Sequence, residues 1–348
     1  MGTRARRLAI PLAGAFAASG LAGAPLTGAA HAVAADEVQV RAAGDAEKAR
    51  AFWTAARMRA AQSRTETLSA GAAADGARPA PARAVAPDGP PGSVPPGGPS
   101  SPGKGKDVSP PRTTGKVFFR FAGDPRLYWC SASSVNAPDR SLVATAGHCV
   151  YDTDTRRWAE DWIFVPGYRQ DKAPYGVYAA ARFNADDDYV KRSDYDYDYA
   201  FVNVTRDLTA TRHRRLGDVV GAQGLTWNRS AKVTVFAFGY PAGPHPDGDR
   251  PYSGHTVKWC YGTTAAMPKV KKFKVERHIG LRCAFTAGGS GGPLLAGYRN
   301  ATGRGYLNGV VSLAWDTDGN GRYDRASTSY FNGETHAVYK TATRKRPK

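Results

Sequence analysis

The chain has 348 residues, with 48 Lys and Arg against 30 Asp and Glu, so it carries a formal charge of +18 at pH 7. That balance predicts a soluble protein drawn to acidic surfaces such as nucleic acid, anionic cell wall or acidic protein. No nucleic-acid-binding motif accompanies the charge, so a specific nucleic-acid partner is not expected. The four cysteines include no C-x-x-C pair, which speaks against a four-cysteine metal site.

Taken in chain order, Arg4, Arg6 and Arg7 precede a stretch made mainly of Ala, Leu and Gly, and Ala30-His31-Ala32 or Ala32-Val33-Ala34 offers small residues to a signal peptidase. Residues 1–34 therefore read as a secretory signal, and secretion is expected. Pro11, Pro25 and the lack of a following basic cluster weigh against a membrane span. From Asp36 to Ser69 the Ala, Arg and Glu content predicts a helix. From Ala70 to Thr114 the composition is dominated by Ala, Pro, Gly and Ser, with too little apolar surface to offset the entropy of ordering it. Residues 35–114 thus read as a largely disordered propeptide and linker.

From Gly115 onward, short β-branched and aromatic runs alternate with Gly, Pro, Asn and Asp. They include Lys116–Phe121, Asp161–Val165, Tyr175–Phe183, Ala200–Val204, Lys232–Phe238 and Tyr306–Leu313. Strand-sized runs at this spacing predict an all-β sandwich or barrel. Thr335–Thr341 is the one late helix candidate, and residues 344–348 form a basic, solvated tail. In an exported protein an even number of cysteines reads as a disulfide framework. Three pairings are possible on paper; the expected one joins Cys130 to Cys149 and Cys260 to Cys283, closing two local loops.

Three segments carry chemistry. Ser141-Leu142-Val143-Ala144 reads as a buried strand running into Thr145-Ala146-Gly147, which places His148 on a tight turn anchored by Cys149. The other six histidines have no such setting. Asp194, Asp196 and Asp198 alternate with tyrosines, and only Asp198 directly precedes the core strand Ala200–Val204. An aspartate at the mouth of a buried strand is fixed and partly desolvated, as a partner for imidazole must be. Gly288-Gly289-Ser290-Gly291-Gly292 is followed at once by Pro293-Leu294-Leu295, unlike a flexible linker. Its glycines let the amides of Gly288 and Ser290 turn toward a developing oxyanion. A serine hydroxyl needs a base, and the base needs a carboxylate to fix its tautomer. His148, Asp198 and Ser290 supply that set.

On Thr145–Cys149, Asp198–Phe201, Phe238–Pro241 and Thr286–Pro293, the chain resembles secreted trypsin-like serine peptidases of the chymotrypsin superfamily, close to the V8-like glutamyl endopeptidases. The resemblance covers Gly115 to the C-terminus. It implies a peptidase domain over 115–343 made of two antiparallel six-stranded β-barrels, about 115–215 and 216–334, with a short C-terminal helix. A monomer that acts on polypeptides through an acyl-enzyme, without a cofactor, is expected. Gly289 stands where many members carry the Asp that pairs with a new N-terminus, so the prosegment is expected to act by covering the site or assisting folding. Ser312, Leu313 and Ala314 are implied on the strand that binds the substrate backbone. Ala284, Phe285 and Thr286 are implied in the pocket for the residue before the scissile bond. Ala284 occupies the position of the Asp that selects Arg or Lys, and Val311 that of a glutamate-selecting histidine. A small or apolar residue is therefore expected there, with glutamate open if His278 or a lysine reaches the pocket.

Two alternatives accompany this reading. One is a catalytically silent barrel that binds acidic polymers, and the other is an esterase using the same triad. Asp316, Asp318, Asn320 and Asp324 have the alternating oxygens of a calcium loop, but Ser327 stands where its glutamate belongs. The favoured reading of that segment is a surface turn.

Overall fold

The computed structural model describes residues 38–64, 66–68, 85–103, 107–209 and 213–344; the segment 1–34 read as a secretory signal and residues 345–348 of the basic tail lie outside them. Among the described residues, no helix is long and apolar enough to cross a membrane.

Ahead of the barrels come β1 (Val38–Ala42), α1 (Ala46–Phe52), α2 (Ala55–Ala60), β2 (Gln62–Ser63), β3 (Glu66–Leu68) and β4 (Gly92–Val94). Among the described residues, the helix expected across 36–69 is confined to two short pieces, capped by Asp45 and Thr54. They part at Trp53, which is extended and 1% exposed, with its ring 5.4 Å from that of Phe118. Burying that indole on the first barrel outweighs continuing one helix.

The linker reading is corrected over 85–103. There β4 pairs with Leu225–Trp227, and Gly97 exchanges backbone bonds with Ala222. The segment has no core of its own, but the barrel supplies its partners. A Cβ on Gly92 would lie 2.1 Å from the Trp227 ring, so glycine permits this close approach.

The first barrel contains β5 (Thr114–Phe121), β6 (Tyr128–Val135), β7 (Leu142–Thr145), β8 (Tyr151–Asp152), β9 (Arg157–Pro166), β10 (Tyr178–Asp186), α3 (Asp187–Arg192) and β11 (Ala200–Val204). Antiparallel pairing in the order β5, β6, β7, β11, β10, β9 and back to β5 closes a ring. β1 extends it by pairing antiparallel with β10. The interior holds Val117, Phe119, Val143, Phe164, Tyr178, Phe183 and Val202.

The second half contains α4 (Leu216–Val220), β12 (Gly224–Trp227), β13 (Thr234–Gly239), β14 (Lys258–Thr263), β15 (Ala265–Ala266), β16 (Ile279–Arg282), β17 (Pro293–Arg299), β18 (Arg304–Val310), β19 (Leu313–Trp315), β20 (Arg325–Thr328) and α5 (Gly333–Thr343). One sheet runs β14-β13-β17-β18-β12-β4 and the other β15-β16-β20-β19-β3. They enclose Val235, Ala237, Leu281, Leu294, Val311 and Ala326, and Cys260 on β14 is bonded to Cys283 just after β16. A separate cluster lies between the barrels. Leu142, Ala144, Tyr199 and Phe201 meet Phe238, Leu295, Leu307 and Val310 there, with Val338 and Tyr339 of α5. The loops that carry the candidate site are thus fixed from both sides.

Candidate active site

His148 lies in a single 3₁₀ turn, Gly147–Cys149, at the end of β7. A Cβ on Gly147 would come within 2.8 Å of Tyr189 and 3.0 Å of Asp198 Oδ1, so glycine lets the turn approach the carboxylate. Cys149 is bonded to Cys130 on β6, and its carbonyl accepts from Trp162 Nε1 at 3.1 Å. The imidazole therefore sits on a covalently tethered turn.

The three alternating aspartates have different partners. Asp194 caps the 3₁₀ turn Tyr195–Tyr197, and burial pushes its carboxyl up to about 6. Asp196 accepts the amides of Glu276 and Arg277 at 2.9–3.1 Å, docking that segment onto the loop. Asp198 turns to the histidine. Its Oδ1 accepts the backbone N–H of His148 at 2.8 Å, and its Oδ2 takes Nδ1 at 2.8 Å. Burial alone would raise this carboxyl. The charge and hydrogen bond of His148, the Ser312 hydroxyl and the His148 amide together hold it below its ordinary value. With Nδ1–H donating to the carboxylate, Nε2 is the acceptor nitrogen. Nε2 is buried and has no hydrogen-bond partner among the described residues.

Ser290 lies in the turn that leads into β17. Gly288 has φ +97° and Gly291 φ +76°, the left-handed region that glycine tolerates. The turn is pinned to β6: Ser131 N donates to Ser290 O at 2.7 Å, and Ser131 Oγ donates to Gly288 O at 2.8 Å. It is pinned from below by Gly291 N, which donates to Val311 O at 2.7 Å. His148, Asp198 and Ser290 are each 0% exposed. The histidine and aspartate are thus bonded to each other, and a Cβ on Gly291 would lie 2.2 Å from Thr145 Oγ1 and 3.0 Å from Ala146 N, so the serine turn packs on the segment that leads into His148.

A trypsin-like peptidase domain family matches residues 130–303. The chain belongs to the trypsin-like peptidase family. Protease Anisep from Arthrobacter nicotinovorans superposes with a TM-score of 0.58 and 31% identity, over 68% of this chain and 98% of that one. A glutamyl endopeptidase of Bacillus licheniformis is 27% identical over 51% of this chain and 48% of its own length. An extracellular metalloprotease of Bacillus subtilis is 30% identical over 36% of each chain. The chain therefore spans about a third to a half of the length of these two curated relatives.

In this trypsin-like domain the residues implied for substrate binding divide by environment. Leu313 and Ala314 lie on β19, which pairs with β20 on one side and with β3 on the other. Ser312 directs its hydroxyl to Asp198 Oδ2 at 2.5 Å rather than outward. Phe285 packs into the second barrel interior against Gly239 and Gly289, so its ring fills the core instead of lining a pocket. Ala284 is half-buried, and Thr286 is 1% exposed, its Oγ1 without a partner among the described residues.

His278 does not reach a substrate pocket. It is fully buried, with Nδ1 2.9 Å from Ser327 Oγ and Nε2 2.7 Å from the Tyr195 carbonyl. Ser327 Oγ accepts from Trp315 Nε1 at 2.7 Å, so its own proton goes to Nδ1 and Nε2–H donates to Tyr195. The chain of bonds joins the end of β19 to the loop that carries Asp198. Nothing in the local sequence marks this role, because both partners are distant along the chain.

The Asp316–Asp324 segment spends its carboxylates on its own turn. Asp316 accepts the amides of Gly319 and Gly321, while Asp324 accepts Thr317 N and Oγ1. Among the described residues, the one group of three potential metal ligands is Cys130, His148 and Cys149, and its two sulfurs are joined to each other.

Proposed function

We propose that the protein is a secreted serine endopeptidase that cleaves peptide bonds through an acyl-enzyme, with a catalytic domain over 115–343. Ser290 Oγ attacks the scissile carbonyl as His148 Nε2 takes its proton. The amides of Gly288 and Ser290 receive the oxyanion, a donor of that kind contributing about 3 kcal/mol. His148 then returns the proton to the leaving nitrogen, and water releases the acyl group by the same steps in reverse. Asp198 holds the imidazole in the tautomer that keeps Nε2 free to accept.

The observation that carries this reading is the buried Asp198 carboxylate, which grips both the amide and Nδ1 of His148. Residues 1–34 are assigned to export and 35–114 to a prosegment. The two disulfides suit an oxidising compartment. For the residue before the scissile bond we propose a small or apolar side chain. Ala284 brings no charge, and both His278 nitrogens are engaged elsewhere.

Intact-mass labelling of the secreted, processed protein with a fluorophosphonate tests the assignment. The expected result is one adduct that disappears in Ser290→Ala. A folded, processed protein that takes no adduct would move a non-catalytic binding role to the front.

A further inference from the structure

A stretch of the chain's own leader lies across the proposed site. Gln62 N donates to Leu127 O at 2.7 Å and Arg64 N to Trp129 O at 3.0 Å, so β2 runs parallel to β6. The Arg64 carbonyl then accepts the Gly288 N–H at 3.2 Å, the amide assigned to the oxyanion. Beyond it β3 runs parallel to β19, with Glu66, Thr67 and Leu68 opposite Leu313, Ala314 and Trp315.

The direction of this segment decides what it does. The resemblance implies that the strand of Ser312, Leu313 and Ala314 binds the substrate backbone beside the pocket for the residue before the scissile bond, so the acyl half of a substrate fills the groove along β19. The leaving half follows the bond and therefore lies on the opposite, β6 side of the Gly288 amide. Here the order is inverted: residues 62–64 lie along β6 and the later residues 66–68 along β19. The carbonyl on Gly288 belongs to Arg64, and the described chain beyond it, residues 66–68, lies on the acyl side along β19. A carbonyl in the oxyanion position without a leaving group on the proper side cannot complete acyl transfer.

The segment is also anchored. The Arg64 guanidinium bonds Asp152 at 3.1 Å and lies over the rings of Phe121 and Tyr128 at 4.8 and 5.3 Å. Upstream, Trp53 is buried beside Phe118, and β1 adds five paired residues to the first barrel.

We propose that the leader segment of residues 62–64 and 66–68 is a built-in inhibitor of this cleft, running first along β6 and then along β19 in the direction opposite to a substrate and therefore not cut by Ser290. The inference rests on the peptidase reading, and it adds an occupant of the substrate groove, its polarity and its anchor. The leader blocks the site without being consumed by it, so release requires a cut or a detachment elsewhere.

The test uses the full chain at millimolar fluorophosphonate, following label on Ser290 by intact mass over a day. Wild type is compared with Arg64→Glu, which reverses the charge facing Asp152, and with Trp53→Ala, which loosens the leader at a second place. Both variants are expected to take label at least tenfold faster than wild type. Peptide mapping is expected to find no cut between residues 62 and 68 in the intact chain that vanishes in Ser290→Ala. Equal labelling rates in wild type and both variants would overturn the inhibitor while leaving the peptidase standing. A Ser290-dependent cut within 62–68 would overturn the inverted polarity. No label in any of these chains or in the processed protein after a day would overturn the peptidase reading and the inhibitor with it.

Discussion

Ser312 and His148 meet on one oxygen: Asp198 Oδ2 accepts the serine hydroxyl at 2.5 Å and the imidazole Nδ1 at 2.8 Å. The second barrel, through Ser312, thus helps to set the charge on an aspartate carried by the first. Both donors, together with the amide on Oδ1, favour the ionised carboxylate that burial opposes.

Removing the hydroxyl separates the two donors. Ser312→Ala is expected to lower kcat by about tenfold, since a hydrogen bond to a charged group contributes roughly 1.5–3 kcal/mol and part of that is lost. Asp198→Asn is expected to lower it by about ten-thousand-fold, because the amide inverts the tautomer preference of His148. Steady-state kinetics of processed variants on one peptide would show the two steps. Equal losses would mean that Ser312 is as necessary as the carboxylate. Normal turnover in Asp198→Asn would remove Asp198 from the mechanism.

The serine turn carries a separate requirement. Gly288 has φ +97°, and a Cβ there would lie 2.5 Å from the Tyr240 carbonyl and 2.7 Å from Trp129 Nε1. Gly288→Ala is expected to swing the amide away and cut turnover by about a hundredfold or more, while the barrel still folds. Circular dichroism beside kinetics checks this. A folded variant with unchanged turnover would show that the Gly288 amide does not serve the oxyanion.

What the sequence conveyed divides along the distance between partners. His148 and Ser290 stood out because short-range features hold them: a strand and a cysteine for one, glycines and a following strand for the other. Asp198 could be separated from Asp194 and Asp196 only by the strand that follows it. The bonds from Ser312 to Asp198 and from His278 to Tyr195 span 114 and 83 residues, and no local pattern encodes such contacts. Composition also misjudged 85–103. A Pro- and Gly-rich segment has too little apolar surface to fold alone, yet Gly92 and Gly97 are what allow it to lie close on Trp227 and Asn136. The inverted course of β2 and β3 was hidden for the same reason, since their partners are two remote strands.

His278 gives the fold an acid limit. Burial holds its basicity below the ordinary value, outweighing the pull of Asp196 and Asp198. As pH falls through about 6.5 the unfolded chain binds a proton that the folded chain resists, so stability drops by up to about 1.4 kcal/mol per pH unit for this one group. His278→Gln is expected to cost about 2 kcal/mol at pH 8, through its lost bonds, and to flatten the decline between pH 7 and 5. Urea unfolding of the Ser290→Ala chain, with and without the substitution, measures both. An unchanged slope would show that other groups set the acid limit.

Lys116 gives an opposite test, at the alkaline end. Its side chain is buried beneath Trp129, with Nζ 3.7 Å from that ring and 4.8 Å from Tyr168. Burial lowers its pKa to about 7, while Asp171 pulls it back up. The ring faces also favour the ammonium, by up to about 2 kcal/mol when desolvated, so the net penalty is smaller than burial alone implies. The unfolded lysine is protonated below about 10.4, whereas the folded one stays neutral down to about 7. Stability is therefore lost as pH falls from about 10 to 7, and it levels off below. Lys116→Met keeps the stem and the contact with the rings but removes the proton. It is expected to raise stability by roughly 1–2 kcal/mol at pH 7, with the gain shrinking toward pH 10. Urea unfolding at the two pH values in the Ser290→Ala chain decides it. A loss of stability at pH 7 would mean that the aromatic cage holds a charged lysine and outweighs its burial.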